Sequence, residues 1–295
     1  MKLAKIVKQC RIDNPRHFKL SDYDPAECFG LPTNIEEVRA ILAEGIAQLT
    51  EMQQRLYAQG QWAVLLVFQG MDAAGKDGVI KHVMSGINPQ GCAVHSFKAP
   101  SPEELAHDFL WRTGKALPER GHLGIFNRSH YEEVLVVRVH PEMLDKQNLP
   151  PALTGKNIWQ QRFKDIRGFE HHLAHSGTLV LKFHLRISRH EQRKRFLARL
   201  DEPSKHWKFS ASDIAERAHW DAYMAAYQDM IRETSTDDAP WYVVPSDHKH
   251  VTWLIVSAAI VETLEKLKLE YPKVTGKALK ELKAAGRALK AEAKR

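Results

Sequence analysis

Apolar residues along this chain fall into short runs that alternate with segments of helical spacing. The run 63–68 is continuous, so residues 62–69 are predicted as a strand buried on both faces. Residues 92–98, 123–127, 178–187 and 241–245 predict four more strands, rich in β-branched and aromatic side chains. Helical signals separate them. Thr33-Asn-Ile-Glu36 reads as a capping box, with Gly60 ending the helix it opens. A helix to about Met84 follows the first strand. Ser101-Pro-Glu-Glu104, Ser129-His-Tyr-Glu132 and Ser188-Arg-His-Glu191 each read as a helix start, and residues 157–175, about 213–233 and about 250–269 carry helical periodicity. Five strand-then-helix units need crossover connections, which predicts one α/β domain with a five-stranded parallel sheet between two helical layers. Ligands in such a sheet bind at the carboxyl ends of the strands.

Composition narrows the class. The chain has 295 residues, 43% apolar and 27% charged, enough to bury a sizeable core. Its longest apolar runs, 63–68 and 134–137, fall far short of the roughly 20 residues that cross a bilayer, so no membrane partner is expected. The basic start lacks the apolar stretch of a secretory signal, and Cys10, Cys28 and Cys92 are too few and scattered for a disulfide framework; a cytoplasmic protein is expected. Net charge is +7, and its placement matters more than its size. Residues 271–295 carry eight Lys/Arg against two Glu (+6), and residues 186–208 carry eight against three Asp/Glu (+5), which leaves −4 for the rest. The expected organisation is an N-terminal extension and helix (1–60), a core domain (61–270) with a lid at about 189–220, and a basic tail (271–295). In the tail Lys273, Lys277, Lys280, Lys283, Arg287, Lys290 and Lys294 step by three or four, one stripe if helical.

The sharpest chemistry lies directly after the first strand. Gly70-Met-Asp72-Ala73-Ala74-Gly75-Lys76-Asp77-Gly78 matches G-x-x-x-x-G-K between a strand and a helix, where backbone amides wrap a phosphate and Lys76 adds a point charge. Asp77 stands where a Ser or Thr would offer a hydroxyl to Mg²⁺, and Asp72 puts a carboxylate inside the loop. A carboxylate beside phosphate calls for a cation between them, which makes Asp72 a candidate Mg²⁺ ligand rather than a residue bonding only its own loop. At the end of the third strand, Asn127-Arg128-Ser-His-Tyr-Glu132-Glu133 would aim Arg128 at the phosphates, with Glu132 or Glu133 near the metal. The basic segment 189–208 reads as a lid that closes over phosphates and excludes water, against the plainer reading of a solvated basic helix.

Other motifs carry less. His171 and His175 share a helix face at i, i+4, but no third ligand is visible in the sequence, so a packed or solvated face is expected there. Ser246-Asp247-His248 fits ligand contact and helix capping equally. No Ser-His-Asp or Cys-His nucleophile arrangement stands out.

Three segments together resemble the polyphosphate kinase 2 family: the phosphate loop 70–78, the stretch Phe126-Asn-Arg-Ser-His-Tyr-Glu-Glu-Val-Leu-Val-Val-Arg-Val-His140, and Arg199-Leu-Asp-Glu-Pro-Ser-Lys-His-Trp-Lys-Phe-Ser210. The resemblance runs from about Asp13 to Leu269. It implies a thymidylate-kinase-like P-loop fold with a helical lid, Mg²⁺ or Mn²⁺ as cofactor, homo-oligomers (dimer or tetramer), and transfer from inorganic polyphosphate to adenine nucleotides, with guanine nucleotides as a further class. It further implies catalytic roles for Asp72, Lys76 and Arg128, and polyphosphate binding by the loop and by Arg193, Arg199, Lys205 and Lys208. Nucleotide contacts are implied for Asn127, Arg128, Glu132 and Arg138, and metal binding for Asp72 and Glu133. Many members carry Asp where this chain has Asn127, which removes a metal role there; the Asn-Arg-Ser-His-Tyr-Glu form resembles the subgroup acting on both AMP and ADP. Two alternatives remain at this level: an ATP-dependent nucleoside monophosphate kinase, and a basic nucleic-acid-binding module.

Overall fold

Five parallel strands in the order β2-β3-β1-β4-β5 form the centre of the chain. They are β1 (Ala63–Gln69), β2 (Cys92–Ser96), β3 (Leu123–Asn127), β4 (Thr178–Arg186) and β5 (Trp241–Pro245). The structure is a computed structural model that describes residues 2–208 and 210–292. Every residue of β1 is buried, as an all-apolar central strand should be. β2 lies at the sheet edge and keeps Val94 about half exposed. It ends two residues earlier than the sequence predicts; the Phe97 amide still donates to the Asn127 carbonyl at 3.1 Å, and the Phe97 ring packs edge-on against Phe126.

Helices cover both faces. Ile35–Gln59, Lys76–Val83 and Lys249–Lys266 pack together on one side, and Ile158–His175 and Trp220–Thr234 on the other. The long helix Ile35–Gln59 starts one residue later than predicted. Asn34, not Thr33, is the cap, accepting from the Glu37 amide at 2.9 Å, and Gly60 closes the helix with φ +61°. Ser129 caps a 3₁₀ turn, His130–Val134, rather than an α-helix. The predicted helix 213–233 is broken into Ala211–Glu216, the tight turn Arg217–His219 and Trp220–Thr234. Tertiary bonds cause the break: Arg217 donates to Gln192 Oε1 at 2.6 Å and to the Arg189 carbonyl at 3.2 Å, pinning the turn to the basic helix Arg189–Asp201.

The first sixty residues are built into the core rather than appended to it. An unpredicted helix, Lys2–Cys10, buries Ile6, Val7 and Cys10 against Lys249–Lys266 and β5. Ile12 then donates to the Trp241 carbonyl at 2.9 Å, edging β5. The tail behaves oppositely: Gly276–Glu292 is helical and buries none of its residues, while Lys294 of the predicted stripe lies outside the described residues. Cys10, Cys28 and Cys92 are all free. Among the described residues no helix is long and apolar enough to cross a membrane.

A buried charge cluster sits under the second helical layer. Lys182, in the middle of β4, donates to Glu170 at 2.5 Å, to the Tyr131 hydroxyl at 2.8 Å and to the Thr234 carbonyl at 2.7 Å. Burial opposes charge on Glu170, but these ammonium contacts hold its carboxyl below the ordinary value. All three ammonium protons are satisfied, which is the condition for burying such a group.

Candidate active site

The β-ladder places the site. Phe68 pairs with Asn127 and Gln69 with His184, so the carboxyl ends of β1, β3 and β4 are level and the loop 70–78 emerges between Arg128 and the start of the basic helix. Backbone geometry makes the loop a nest. Ala73 has φ +63° and Gly75 φ +106°, left-handed positions that turn successive amides toward one concavity. Gly70 has a different constraint, since a Cβ there would stand 2.7 Å from the Leu185 carbonyl. Lys76 is buried at the head of its helix, and its ammonium donates to the Gly70 carbonyl at 2.7 Å. Burial and then the charge of Arg128 lower its pKa.

Across the cleft, Arg128 leaves β3 with φ +64° and donates to Asp72 at 2.6 Å and to Glu132 at 3.4 Å. Glu132, then Asp72, holds the guanidinium firmly protonated. Asn127 donates to Asp77 at 2.7 Å. The neutral amide thus bonds the loop carboxylate, an arrangement that an Asp at position 127 would turn into repulsion. Asn127, Arg128, Asp72 and Asp77 share one cleft of about 1220 Å³. Glu132 reaches it through Arg128.

The basic helix grips the loop from behind. Arg195, buried, donates to the carbonyls of Ala73 (2.9 Å), Ala74 (3.2 Å), Ser246 (2.5 Å) and Asp247 (3.0 Å). Gln192 donates to the Asp72 carbonyl at 2.9 Å. With those carbonyls held outward, the loop's amides are left for the cleft side. The sequence did not single out Arg195; only its position one helical turn after Glu191, with which it pairs at 2.9 Å, hinted at a structural use. The same contact explains Ser246-Asp247: their carbonyls serve Arg195, and Asp247 Oδ1 accepts from the Ser188 amide at 2.8 Å.

The lid cations divide. Arg199 and Lys205 line the cleft, Arg199 lying 3.6 Å from Asp213 and Lys205 pairing with Glu202. Arg193 is exposed and does not line the cleft, and the Lys208 side chain lies outside the described residues. Trp207, 78% exposed, lines the cleft mouth. Lys98, Lys249, His250 and Trp253 also line the cleft, and the sequence marks none of the four, since nothing local distinguishes a lysine that folds into a cleft. Among the described residues seven cations line it (Lys76, Lys98, Arg128, Arg195, Arg199, Lys205, Lys249) against three carboxylates, Asp72, Asp77 and Asp213. Such a surface fits a polyanion.

Two more expected site residues lie elsewhere. Glu133 is buried and accepts from Arg162 at 2.9 Å and from Gln147 at 2.7 Å, which turns it away from the loop. Arg138 pairs with Asp229 at 2.6 Å. Neither lines the cleft. In their place the structure brings Asp213 beside Asp72: burial, and next the charge of Asp72, push the Asp213 carboxyl above its ordinary pKa. A carboxylate whose ionisation is opposed by a neighbouring carboxylate's charge can be relieved by a cation between them.

Comparison with known proteins bears on this geometry. Residues 33–272 match the family model described as Polyphosphate kinase 2 (PPK2). The chain is 52% identical over 275 residues to an ADP-polyphosphate phosphotransferase of Rhodopseudomonas palustris, covering 90% of this chain and 95% of the relative. It is 46% identical over 266 residues to an AMP/ADP-polyphosphate phosphotransferase of Meiothermus ruber, covering 90% and 96%. The crystal structure of Polyphosphate Kinase 2 from Arthrobacter aurescens TC1 superposes with TM-score 0.86 at 40% identity, over 99% of this chain and 97% of that one.

Proposed function

We propose a specific reaction for this chain, which belongs to the polyphosphate kinase 2 family and is thereby a polyphosphate-dependent nucleotide phosphotransferase with a P-loop kinase fold: the terminal phosphoryl group of inorganic polyphosphate passes to AMP or ADP, giving ADP or ATP. The observation that supports it most is the convergence of the phosphate loop, Arg128 and the lid cations Arg199 and Lys205 on one cleft. An oxygen of the acceptor's terminal phosphate attacks the terminal phosphorus, and the bond to the next bridging oxygen breaks, leaving the polymer one unit shorter. The acceptor is already ionised near neutrality, because its second phosphate pKa is about 6; no general base is needed. Catalysis then rests on positioning and charge. Loop amides and Lys76 hold the transferring group, Arg128 stabilises its charge, and Arg199 and Lys205 hold the polymer.

Mg²⁺ or Mn²⁺ fits the carboxylates present. Asp72 and Asp213 would hold the ion, whereas Glu133, already bound by Arg162 and Gln147, is a poor candidate. When bound, the ion supplies neutralisation of phosphate charge. We further propose that the chain works as a homo-oligomer in the cytoplasm. The exposed edge strand β2 is one surface open to a second copy, and sedimentation velocity decides the assembly state.

The decisive experiment incubates the protein with polyphosphate and Mg²⁺ without ATP, giving AMP, ADP and guanine nucleotides separately. ADP formed from AMP and ATP formed from ADP are expected. No product without ATP, but ADP from AMP plus ATP, would replace this reading with an ATP-dependent nucleoside monophosphate kinase.

A further inference from the structure

We propose that His171, His175 and Asp238 form a binding site for a divalent transition-metal ion of the zinc type, separate from the phosphotransfer cleft. The sequence offers only two of the ligands, one turn apart on the helix Ile158–His175. Folding supplies the third. Asp238, in the segment that leads into β5, places Oδ2 at 2.8 Å from His171 Nδ1, and the two imidazole centroids lie 4.0 Å apart at 44°. One ligand atom from each of the three residues lies within 4.8 Å of the others. A tetrahedral ion with bonds of about 2.0–2.2 Å spaces its ligands by about 3.3–3.6 Å. The widest separation therefore has to close by at most about 1.5 Å while the His171–Asp238 pair opens by about 0.5–0.8 Å, which side-chain rotation of exposed residues provides.

The donor set selects the ion. Two imidazoles and a carboxylate suit zinc, cobalt, nickel or copper, whereas magnesium prefers all-oxygen octahedral shells. Three protein ligands on an exposed surface leave a fourth position to water. Location separates this site from the reaction. His175 stands three residues before β4 begins, and Asp238 three before β5, so both lie at the amino ends of the strands, whereas the phosphate loop follows the carboxyl end of β1. Arg167, four residues before His171, pairs with Glu233. Arg167, His171 and His175 thus form a stripe that faces the end of Trp220–Thr234 and the lead-in to β5, and a bound ion would fasten these segments together.

A plain His171–Asp238 ion pair is the rival account, and His175 distinguishes the two because the pair does not need it. Untagged full-length protein in Mg²⁺ buffer is titrated with Zn²⁺ calorimetrically, and with Co²⁺ by visible absorption. One equivalent of Zn²⁺ is expected, together with a Co²⁺ band of low-coordinate geometry and a thermal midpoint raised by the metal. His175→Ala and Asp238→Asn should each weaken binding by at least about tenfold and abolish the band, while Mg²⁺-supported phosphotransfer by His175→Ala stays at the wild-type rate. Absence of saturable Zn²⁺ binding, or wild-type binding by His175→Ala, would overturn the proposal; loss of transfer in His175→Ala would overturn the separation of the two sites.

Discussion

Arg128 and Asp72 stand 56 positions apart in the chain yet meet at 2.6 Å across the mouth of the cleft. One is the cation at the end of β3 and the other the carboxylate inside the phosphate loop, so the pair couples the two motifs from which the site is built. A phosphate oxygen competes with Asp72 for the same guanidinium, and a cation on Asp72 competes with Arg128 for the same carboxylate. Substrate and metal would therefore be bound together more readily than either alone.

Asp72→Asn and Lys76→Ala are expected to lower kcat by at least about 100-fold, the range for removing one preorganised electrostatic group, with thermal unfolding little changed. Arg128→Lys should also lose rate, because a lysine cannot serve two carboxylates with a planar fork. Product formation from ADP and polyphosphate measures all three, and an unchanged rate in any variant removes the role assigned to that residue.

Arg195 meets the phosphate loop at its backbone carbonyls. Replacing it by Met leaves four carbonyls, two of them buried, without their donor, and a loss of roughly 3 kcal/mol in stability is expected. If it positions the loop, Arg195→Lys should recover part of that stability while KM for polyphosphate stays raised. Urea unfolding together with initial-rate kinetics tests this; recovery of both quantities by Lys would reduce the residue to a point charge.

The buried Lys182–Glu170 pair invites a double-mutant cycle. Lys182→Met leaves the buried Glu170 without its cation, so about 3–5 kcal/mol should be lost, whereas Lys182→Met with Glu170→Leu should lose much less. Equal losses in the single and double variants would contradict the charge account.

His184 gives a pH dependence. Its ring lies against Tyr227, centroids 4.4 Å apart and tilted by 36°, and neither nitrogen finds a partner. Burial, then the charges of Arg186 and Lys76, push the imidazole down to about 3 from 6.5. Between those values the unfolded chain binds one more proton than the folded chain. Stability is therefore unaffected above about pH 6.5 and falls as pH drops below it, by up to about 1.4 kcal/mol per pH unit. Urea midpoints measured from pH 7 to pH 4.5 should fall less steeply in His184→Gln; parallel slopes would assign the acid sensitivity to other groups.

Ending the chain after Leu269 removes a helix with no buried residue, so the thermal midpoint should move by no more than a few degrees. The tail's charge, +6 over residues 271–295, should instead appear as a weaker salt dependence of polyphosphate binding. Loss of all turnover on truncation would show that the tail does more than attract the polymer.

Much of the fold was readable because the signals are local. β3 and β5 fall on the residues that their apolar runs mark, and the capping box at Ser101 and the cap at Ser188 form as their spacing requires. The helix expected over 213–233 failed for the opposite reason: its pattern is continuous, and the break at Arg217 comes from bonds to Gln192 and Arg189. The helix Lys2–Cys10 escaped notice because a short basic segment shows its apolar side only once there is a core to receive it.

The site divides along the same line. Lys76 and the loop glycines announce a phosphate because their function is a property of consecutive backbone, and Arg128 announces itself by following a strand. Glu132 and Glu133 are neighbours of the same type, yet one meets Arg128 and the other Arg162; rotation about a short 3₁₀ turn decides between them. Asp213 and Asp238 likewise carry no local mark, and Arg195 only its spacing from Glu191. What the sequence by itself determined is the chemistry of segments, since hydrogen-bond geometry and apolar period act over a few residues. Which charges meet, and so which carboxylates could hold a cation, was decided only by the packing of segments far apart in the chain, because electrostatic partnership depends on distance in space.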